Sequence, residues 1–293
     1  MDKINTFARA KINTALDVVG KREDGYHDLR MIMQTVNLCD SLIISKSREK
    51  GIRLTSNLSW LPCDSRNLVW RAAEEMINAC GIQGGIEIEL KKRIPAAAGL
   101  AGGSADCAAA LIGIRSLYGI NMPNEDLMKI GEKLGADVPF CIMRGTALAE
   151  GKGEILTPLP PFPDTFVLLA KPPINVSTPI IFKEYSDSEV KKRPDIEKMI
   201  GCIESGDLKG ICDTMCNVLE TVTIKKYPII DEIKRHMLDK GAAGSMMSGS
   251  GPTVFGFYDS YEKGLAALKF IRAQCHIKEI YLTTVFNNKG KEK

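Results

Sequence analysis

No CxxC pair occurs among the nine cysteines of this 293-residue chain. The closest two, Cys212 and Cys216, stand four apart in a helical pattern with no histidine nearby. No zinc ribbon or CxxC redox motif is therefore written here, and reduced, mostly buried cysteines are expected. Long hydrophobic runs are also missing. Nothing approaches the roughly 20 apolar residues that would span a bilayer. The opening "MDKINTFARAKIN" carries Asp2, Lys3, Arg9 and Lys11 and does not resemble a secretory signal, so a cytoplasmic protein is expected. Neither sign of charge dominates. The 39 basic and 36 acidic residues leave a formal net charge of +3. That balance argues against nucleic acid or a membrane surface as the main partner. There is no internal repeat, and no low-complexity tract beyond a lysine-rich tail, Lys289–Lys293, expected to fray. The oligomeric state is left open.

What is present reads as interleaved strands and helices. "TFARAKINTALDVV" predicts a long strand ending at Gly20, and "GKREDGYHDL" a charged loop. "SLIISK" and "GIRLTS" predict two strands, set as a hairpin. Leu68, Val69, Ala72, Ala73, Met76, Ile77 and Cys80 fall at helical spacing, with Gly81 as the stop. "GIEIELKKRIP" alternates as a strand. Helices follow to about Leu117 and over 124–134. The four prolines of "TPLPPFPDT" mark the best candidate for a domain junction. Beyond it come a strand (166–170), a short helix (179–185), several helices to Lys240, a Gly/Ser loop in "SMMSGSGPTVFGFY", and a closing strand–helix–strand. The irregular order predicts an α+β fold, not a parallel doubly wound sheet.

Small residues crowd "PAAAGLAGGSADCAAAL", where the chain passes from strand to helix. Helix N-termini carry unpaired N–H groups and a partial positive charge. Gly99, Gly102 and Gly103 permit close backbone approach, so this bend is a candidate anion site. Ser104 could cap the helix or reach a metal ion. The bend is not a Walker loop, because no Gly-Lys-Ser/Thr follows. Nor does the glycine spacing fit a dinucleotide fingerprint, which disfavours an oxidoreductase. A plain strand-to-helix turn before an alanine-packed helix is the structural alternative.

The same stretch resembles the phosphate loop, P-x-x-x-G-L-x-S/G-S-S, of the galactokinase, homoserine kinase, mevalonate kinase and phosphomevalonate kinase superfamily. "AKINTALDVVGKREDGYHD", "LGADVPF", "ALAEGKGEIL", "STPIIFKEY" and "SGSGPTVFGFY" are similar, in order, to the members that phosphorylate the 2-hydroxyl of 4-diphosphocytidyl-2-C-methyl-D-erythritol. The likeness covers roughly residues 5 to 260. It departs where Ala96, Ala97 and Ala98 replace customary glycines, and where Ser104-Ala105-Asp106 replaces Ser-Ser or Ser-Ala-Asn.

The resemblance implies a two-domain α+β small-molecule kinase using ATP and Mg2+, with an ATP-binding domain over 1–160 and a second domain over 161–293. It implies Asp137 as the base for the acceptor hydroxyl and Lys11 as its cationic neighbour. Such a cation lowers the carboxylate pKa by roughly 1–3 units, so proton transfer comes late and alignment supplies much of the rate. The plain alternative for Asp137 is a helix N-cap. Phosphate contacts fall to Pro95, Ala96, Ala97, Ala98, Gly99, Leu100, Ala101, Gly102, Gly103, Ser104 and Ala105, with Ser104 near the metal ion. Asn67 and Lys92 fall at the adenosine end. Asn13, Tyr26, His27, Thr178, Pro179 and Phe182 fall on the substrate, the aromatic groups around the cytosine ring. Met33 stands where relatives often carry an aromatic residue. Ser248–Pro252 matches a third family motif, a turn closing on the site. His236 and His276 match nothing and are expected at the surface. Another kinase of the superfamily, acting on homoserine or mevalonate, and a non-catalytic nucleotide-binding module are the rival readings.

Overall fold

The computed structural model describes residues 2–288, so the fraying expected at Lys289–Lys293 lies outside the described residues. In chain order the elements begin β1 (Lys3–Lys21), β2 (His27–Ser47), β3 (Gly51–Ser56), α1 (Leu68–Cys80), β4 (Gly85–Lys91), α2 (Gly102–Leu117), α3 (Asn124–Leu134), α4 (Val138–Met143), β5 (Thr146–Gly151) and β6 (Ile155–Pro158). They continue as β7 (Phe166–Lys171), α5 (Thr178–Glu184), α6 (Ile196–Glu204), α7 (Leu208–Thr214), β8 (Cys216–Asn217), α8 (Glu220–Lys226), α9 (Ile229–Asp239), β9 (Gly244–Met247), β10 (Val254–Tyr258), α10 (Tyr261–Gln274) and β11 (Glu279–Thr284). The fold class is α+β, as the interleaving implied. No helix of the described residues is long and apolar enough to cross a membrane.

Two compact units divide the chain: Met1–Ala10, Leu38–Ala96 and Ala101–Met143 form one, and Lys11–Asn37, Ala97–Leu100 and Arg144–Lys293 the other. The boundary drawn after residue 160 in the sequence falls inside the second unit. β1 and β2 each run through both.

In the first unit α1, α2, α3 and α4 pack on one another over a core that includes Leu42, Ile44, Met76, Ile88 and Leu111. Here the hairpin of β2 and β3 is corrected. β4 lies between them, antiparallel to β2 with Leu42 opposite Leu90, and parallel to β3 with Leu54 opposite Ile88. Ile86, Ile88 and Leu90 are buried, and a strand with neighbours on both edges pairs all of its backbone polar groups. Gly85 makes the insertion possible. A Cβ there would sit 1.9 Å from the Glu49 carbonyl oxygen, so only glycine enters beside the β2–β3 link.

β2 is also far longer than the run read from "SLIISK". Met31–Val36 is buried at every position, so the alternation that marks a half-exposed strand is absent there. In the second unit an antiparallel sheet runs β11-β7-β10-β9, with Phe255 opposite both Leu169 and Met246. α9 and α10 pack against it. "SMM" belongs to β9 and not to the Gly/Ser loop, which shortens that loop to a turn between β9 and β10. All nine cysteines are free, and none is fully exposed.

Candidate active site

The small-residue bend is split, with Pro95, Ala96 and Ala101–Ala105 in the first unit and Ala97–Leu100 in the second. In the second unit three of its carbonyls are engaged. Ala98 O accepts from Thr253 N at 3.3 Å and Leu100 O from Lys11 N at 3.2 Å. Gly99 O accepts from Ser248 Oγ at 2.8 Å. Gly99 has φ +71°, and a Cβ on it would lie 2.2 Å from the Ser248 carbonyl oxygen. Ala97 and Ala101 also adopt left-handed φ, at 48° and 54°. That costs an L-residue about 1–2 kcal/mol each, and strain of this kind persists where the surroundings fix it. The loop thus keeps its backbone course without the customary glycines.

In the first unit, Ala101 is the N-cap of α2 and offers no side-chain acceptor. The expected capping by Ser104 is therefore corrected: Ser104 is the third residue of the helix, one turn too late to cap it. The leading N–H groups of α2 thus receive no side-chain cap from Ala101, and such uncapped helix starts are able to hold an anion. Ser104 Oγ faces the next turn instead, 3.8 Å from where a Cβ of Gly135 would sit. That turn delivers Asp137, half-buried and immediately before α4, its carbonyl accepting from Cys141 N at 3.1 Å. Its backbone holds the N-cap place that the plain alternative assigned to it. Cys107, beside the bend, is buried, and burial pushes its thiol up to about 12. It is therefore an inert core residue.

Lys92 and Asn67 border the start of α2 in the same unit. Lys92 Nζ lies 3.5 Å from the position of a Gly102 Cβ, and Leu68, next to Asn67, lies 3.7 Å from that of Gly103. Both side chains are engaged in the fold. Asn67 caps α1, accepting from Val69 N at 2.9 Å and donating to Pro62 O at 2.8 Å. The Lys92 ammonium, 7% exposed, pairs with Asp40, itself 0% exposed, and with Asp106 at 2.6 Å. Asp40 also accepts from Arg93 N and, at 2.7 Å, from Ile94 N, which fixes the chain entering the bend. Burial pushes the Asp106 carboxyl well above the usual range; Lys92 pulls it down and Asp40 pushes it up. Burial works to lower the Lys92 ammonium, and the two carboxylates more than offset it. Asp106 Oδ1 has no hydrogen-bond partner among the described residues. Asp40 holds the backbone donors, whereas Asp106 is buried beside it with the Lys92 ammonium as its partner.

In the second unit Lys11 and Asn13 lie two apart on β1, hence on one face. Lys11 Nζ donates to Asn13 Oδ1 at 2.7 Å, and both side chains are buried. The turn over Ser248–Thr253 comes against them, with Gly249 next to Asn13 Oδ1 and to Gly99. Asn217, which the sequence did not single out, ties this turn down. Its amide donates to Met247 O at 2.9 Å and to Gly249 O at 2.8 Å. It arrives through β8, which pairs parallel with β1 at Ala15 and Leu16. A two-residue strand has no signature in the sequence, so no local signal could have found it.

Thr178 Oγ1 lies 2.7 Å from Ser250 Oγ, joining α5 to the same turn, with Pro179 in the first turn of α5. One turn on, Phe182 stacks on His27 with ring centroids 5.3 Å apart at 28°. Tyr185, another residue the sequence reading passed over, meets His27 edge-on at 6.3 Å. Burial and Lys21 hold the His27 imidazole below the ordinary histidine range, so the ring is neutral at neutral pH and offers one donor and one acceptor. Tyr26 is 62% exposed under Lys152, whose Nζ lies 5.3 Å from its ring centroid. A base between His27 and Phe182 would need about 7 Å, two van der Waals separations, so the rings must part to admit one. Met33 is fully buried.

Two family models match the chain: the GHMP kinases N terminal domain over residues 67–145 and the GHMP kinases C terminal domain over 199–277. The chain is 49% identical to the 4-diphosphocytidyl-2-C-methyl-D-erythritol kinase of Lachnospira eligens, over 98% of this chain and 99% of that one. A crystal structure of a 4-(cytidine 5'-diphospho)-2C-methyl-D-erythritol kinase superposes with a TM-score of 0.83 at 30% identity, covering 96% of this chain and 99% of the other. Homoserine kinase from Cytophaga hutchinsonii superposes at 0.78 with 25% identity, over 97% and 95%.

Proposed function

The chain belongs to the 4-diphosphocytidyl-2-C-methyl-D-erythritol kinases within the GHMP kinases, and we propose that Asp137 and Lys11 carry its transfer of the ATP γ-phosphoryl group to the substrate 2-hydroxyl. The reaction is an ATP-dependent step of isoprenoid biosynthesis. The observation that carries the substrate assignment is likeness to the Lachnospira eligens kinase across 98% of the chain.

Asp137 accepts the proton of the acceptor hydroxyl. The alcohol oxygen then bonds to the γ-phosphorus while the bond to the β–γ bridging oxygen breaks, its electron pair leaving with ADP. Lys11, oriented by Asn13, faces the negative charge spread over the transferring oxygens. The uncapped start of α2 and the N–H groups of the bend hold the phosphates. Ser104 is a hard oxygen donor of the first unit that would suit Mg2+, which would supply charge neutralisation when bound. Asn67 and Lys92 stand at the adenosine end, acting there through the framework they brace at the start of α2. Tyr26, His27 and Phe182 grip the cytosine, with Thr178 and Pro179 along the same wall.

ADP release measured with the cytidylyl substrate, and separately with homoserine and mevalonate, tests the assignment. Turnover confined to the cytidylyl substrate and dependent on Mg2+ is expected. Turnover with homoserine or mevalonate and none with the cytidylyl compound would reject it. Stacking of a base on an aromatic ring contributes about 1–3 kcal/mol. Phe182→Ala is therefore expected to raise KM for the cytidylyl substrate by about tenfold to a hundredfold, with KM for ATP little changed. Equal losses for both substrates would remove Phe182 from the pyrimidine site.

A further inference from the structure

We infer that Glu232, His236 and Cys275 form a site for a divalent transition-metal ion of the zinc class, joining α9 to the end of α10. Glu232 and His236 are one helical turn apart on α9 and so share a face. Cys275 comes from a different element, directly after α10. His236 Nε2 lies 3.6 Å from Glu232 Oε1, and Cys275 Sγ lies 3.9 Å from that same oxygen. All three ligand atoms fall within 4.8 Å of one another.

Bonds of about 2.0–2.3 Å in a tetrahedral array place neighbouring ligand atoms roughly 3.3–3.8 Å apart. Two of the three edges already stand near that spacing, and the third closes by a small side-chain adjustment. Hydrogen bonding explains the convergence poorly. A His–Glu separation of 3.6 Å is too long for a hydrogen bond, and a thiol at 3.9 Å makes only a weak one. One sulfur, one imidazole nitrogen and one carboxylate oxygen suit zinc, cobalt or nickel better than the all-oxygen preference of magnesium or calcium.

The ring of His236 is positioned in advance. Phe270 meets it edge-on at 5.2 Å, and Lys240 Nζ sits 4.0 Å from the centroid of Phe270. His236 is thus half-buried in a packed cluster, not the bare surface residue its sequence context suggests. Cys275 is buried. Three protein ligands leave a fourth position for water. All three belong to the second unit, and none is among the residues assigned to phosphoryl transfer. The ion would clamp α9 and α10 together on the sheet they share.

Titration of the metal-free chain with Co2+, followed by absorption, tests the site. One equivalent is expected to bind with tetrahedral-intensity visible bands and a thiolate-to-cobalt charge-transfer band, both displaced by Zn2+. Cys275→Ser should abolish the charge-transfer band, and His236→Gln and Glu232→Gln should each weaken binding at least tenfold. Kinase turnover with Mg2+ should be unchanged in all three, which also reports that they fold. No charge-transfer band in the unaltered chain, or an undiminished band in Cys275→Ser, would overturn the proposal.

Discussion

Asp137→Asn is expected to lower kcat by about 10²- to 10⁴-fold while leaving ATP affinity within a few-fold of the unaltered chain. The amide keeps the size of the carboxylate but accepts no proton, and a positioned general base contributes a factor of this order. The place of Asp137 ahead of α4 makes the substitution mild for the fold, since asparagine serves equally well at a helix N-cap. Lys11→Met should reduce kcat comparably, because it removes the cation proposed to face the transferring group and leaves the Asn13 carbonyl without its 2.7 Å donor. Groups that act as a unit are non-additive, so the double variant should fall little further than the worse single one. Single-turnover kinetics with a separate ATP-binding titration reads all of these. A fully active Asp137→Asn variant would require another base.

The second large effect is on stability. Lys92→Met is expected to destabilise the chain by about 3–5 kcal/mol, the cost of leaving a buried charge without its partner. Asp40 is 0% exposed and would retain its two backbone donors, Arg93 N and Ile94 N, without the ammonium. Asp106→Asn should cost less than about 1.5 kcal/mol, because burial favours the neutral form of the carboxyl it replaces and the amide is isosteric. The pH dependence separates the two carboxyls. The folded Asp106 holds its proton above the pH at which an unfolded aspartate loses it, so the folded state binds more protons over that window. Stability therefore falls as pH rises from about 4 through the folded pKa. In Asp106→Asn that component disappears. Urea unfolding of both variants across pH measures it. Equal losses in the two, with the pH slope retained in Asp106→Asn, would mean that Asp106 is ionised in the folded chain.

Much of this protein was legible in its residues alone, because the relevant signals are local. The alternation of "GIEIEL", the spacing of Leu68 to Cys80 and the small-residue bend at 95–105 declare a strand, a helix and a tight strand-to-helix turn through rules that act within a few residues. The aromatic groups Tyr26, His27 and Phe182 were found through likeness to a family, and only the fold shows the last two stacked on each other. Tertiary structure decided what depends on residues far apart in the chain. It placed β4 between β2 and β3, because Gly85 alone fits beside the Glu49 carbonyl. It took Lys92 into a buried ion cluster 52 residues from Asp40 in sequence. It brought Asn217 under the turn at Ser248–Thr253 and set Cys275 against a helix 43 residues earlier. No periodicity encodes such meetings, since desolvation and pairing energies are defined only once distant segments share the same volume.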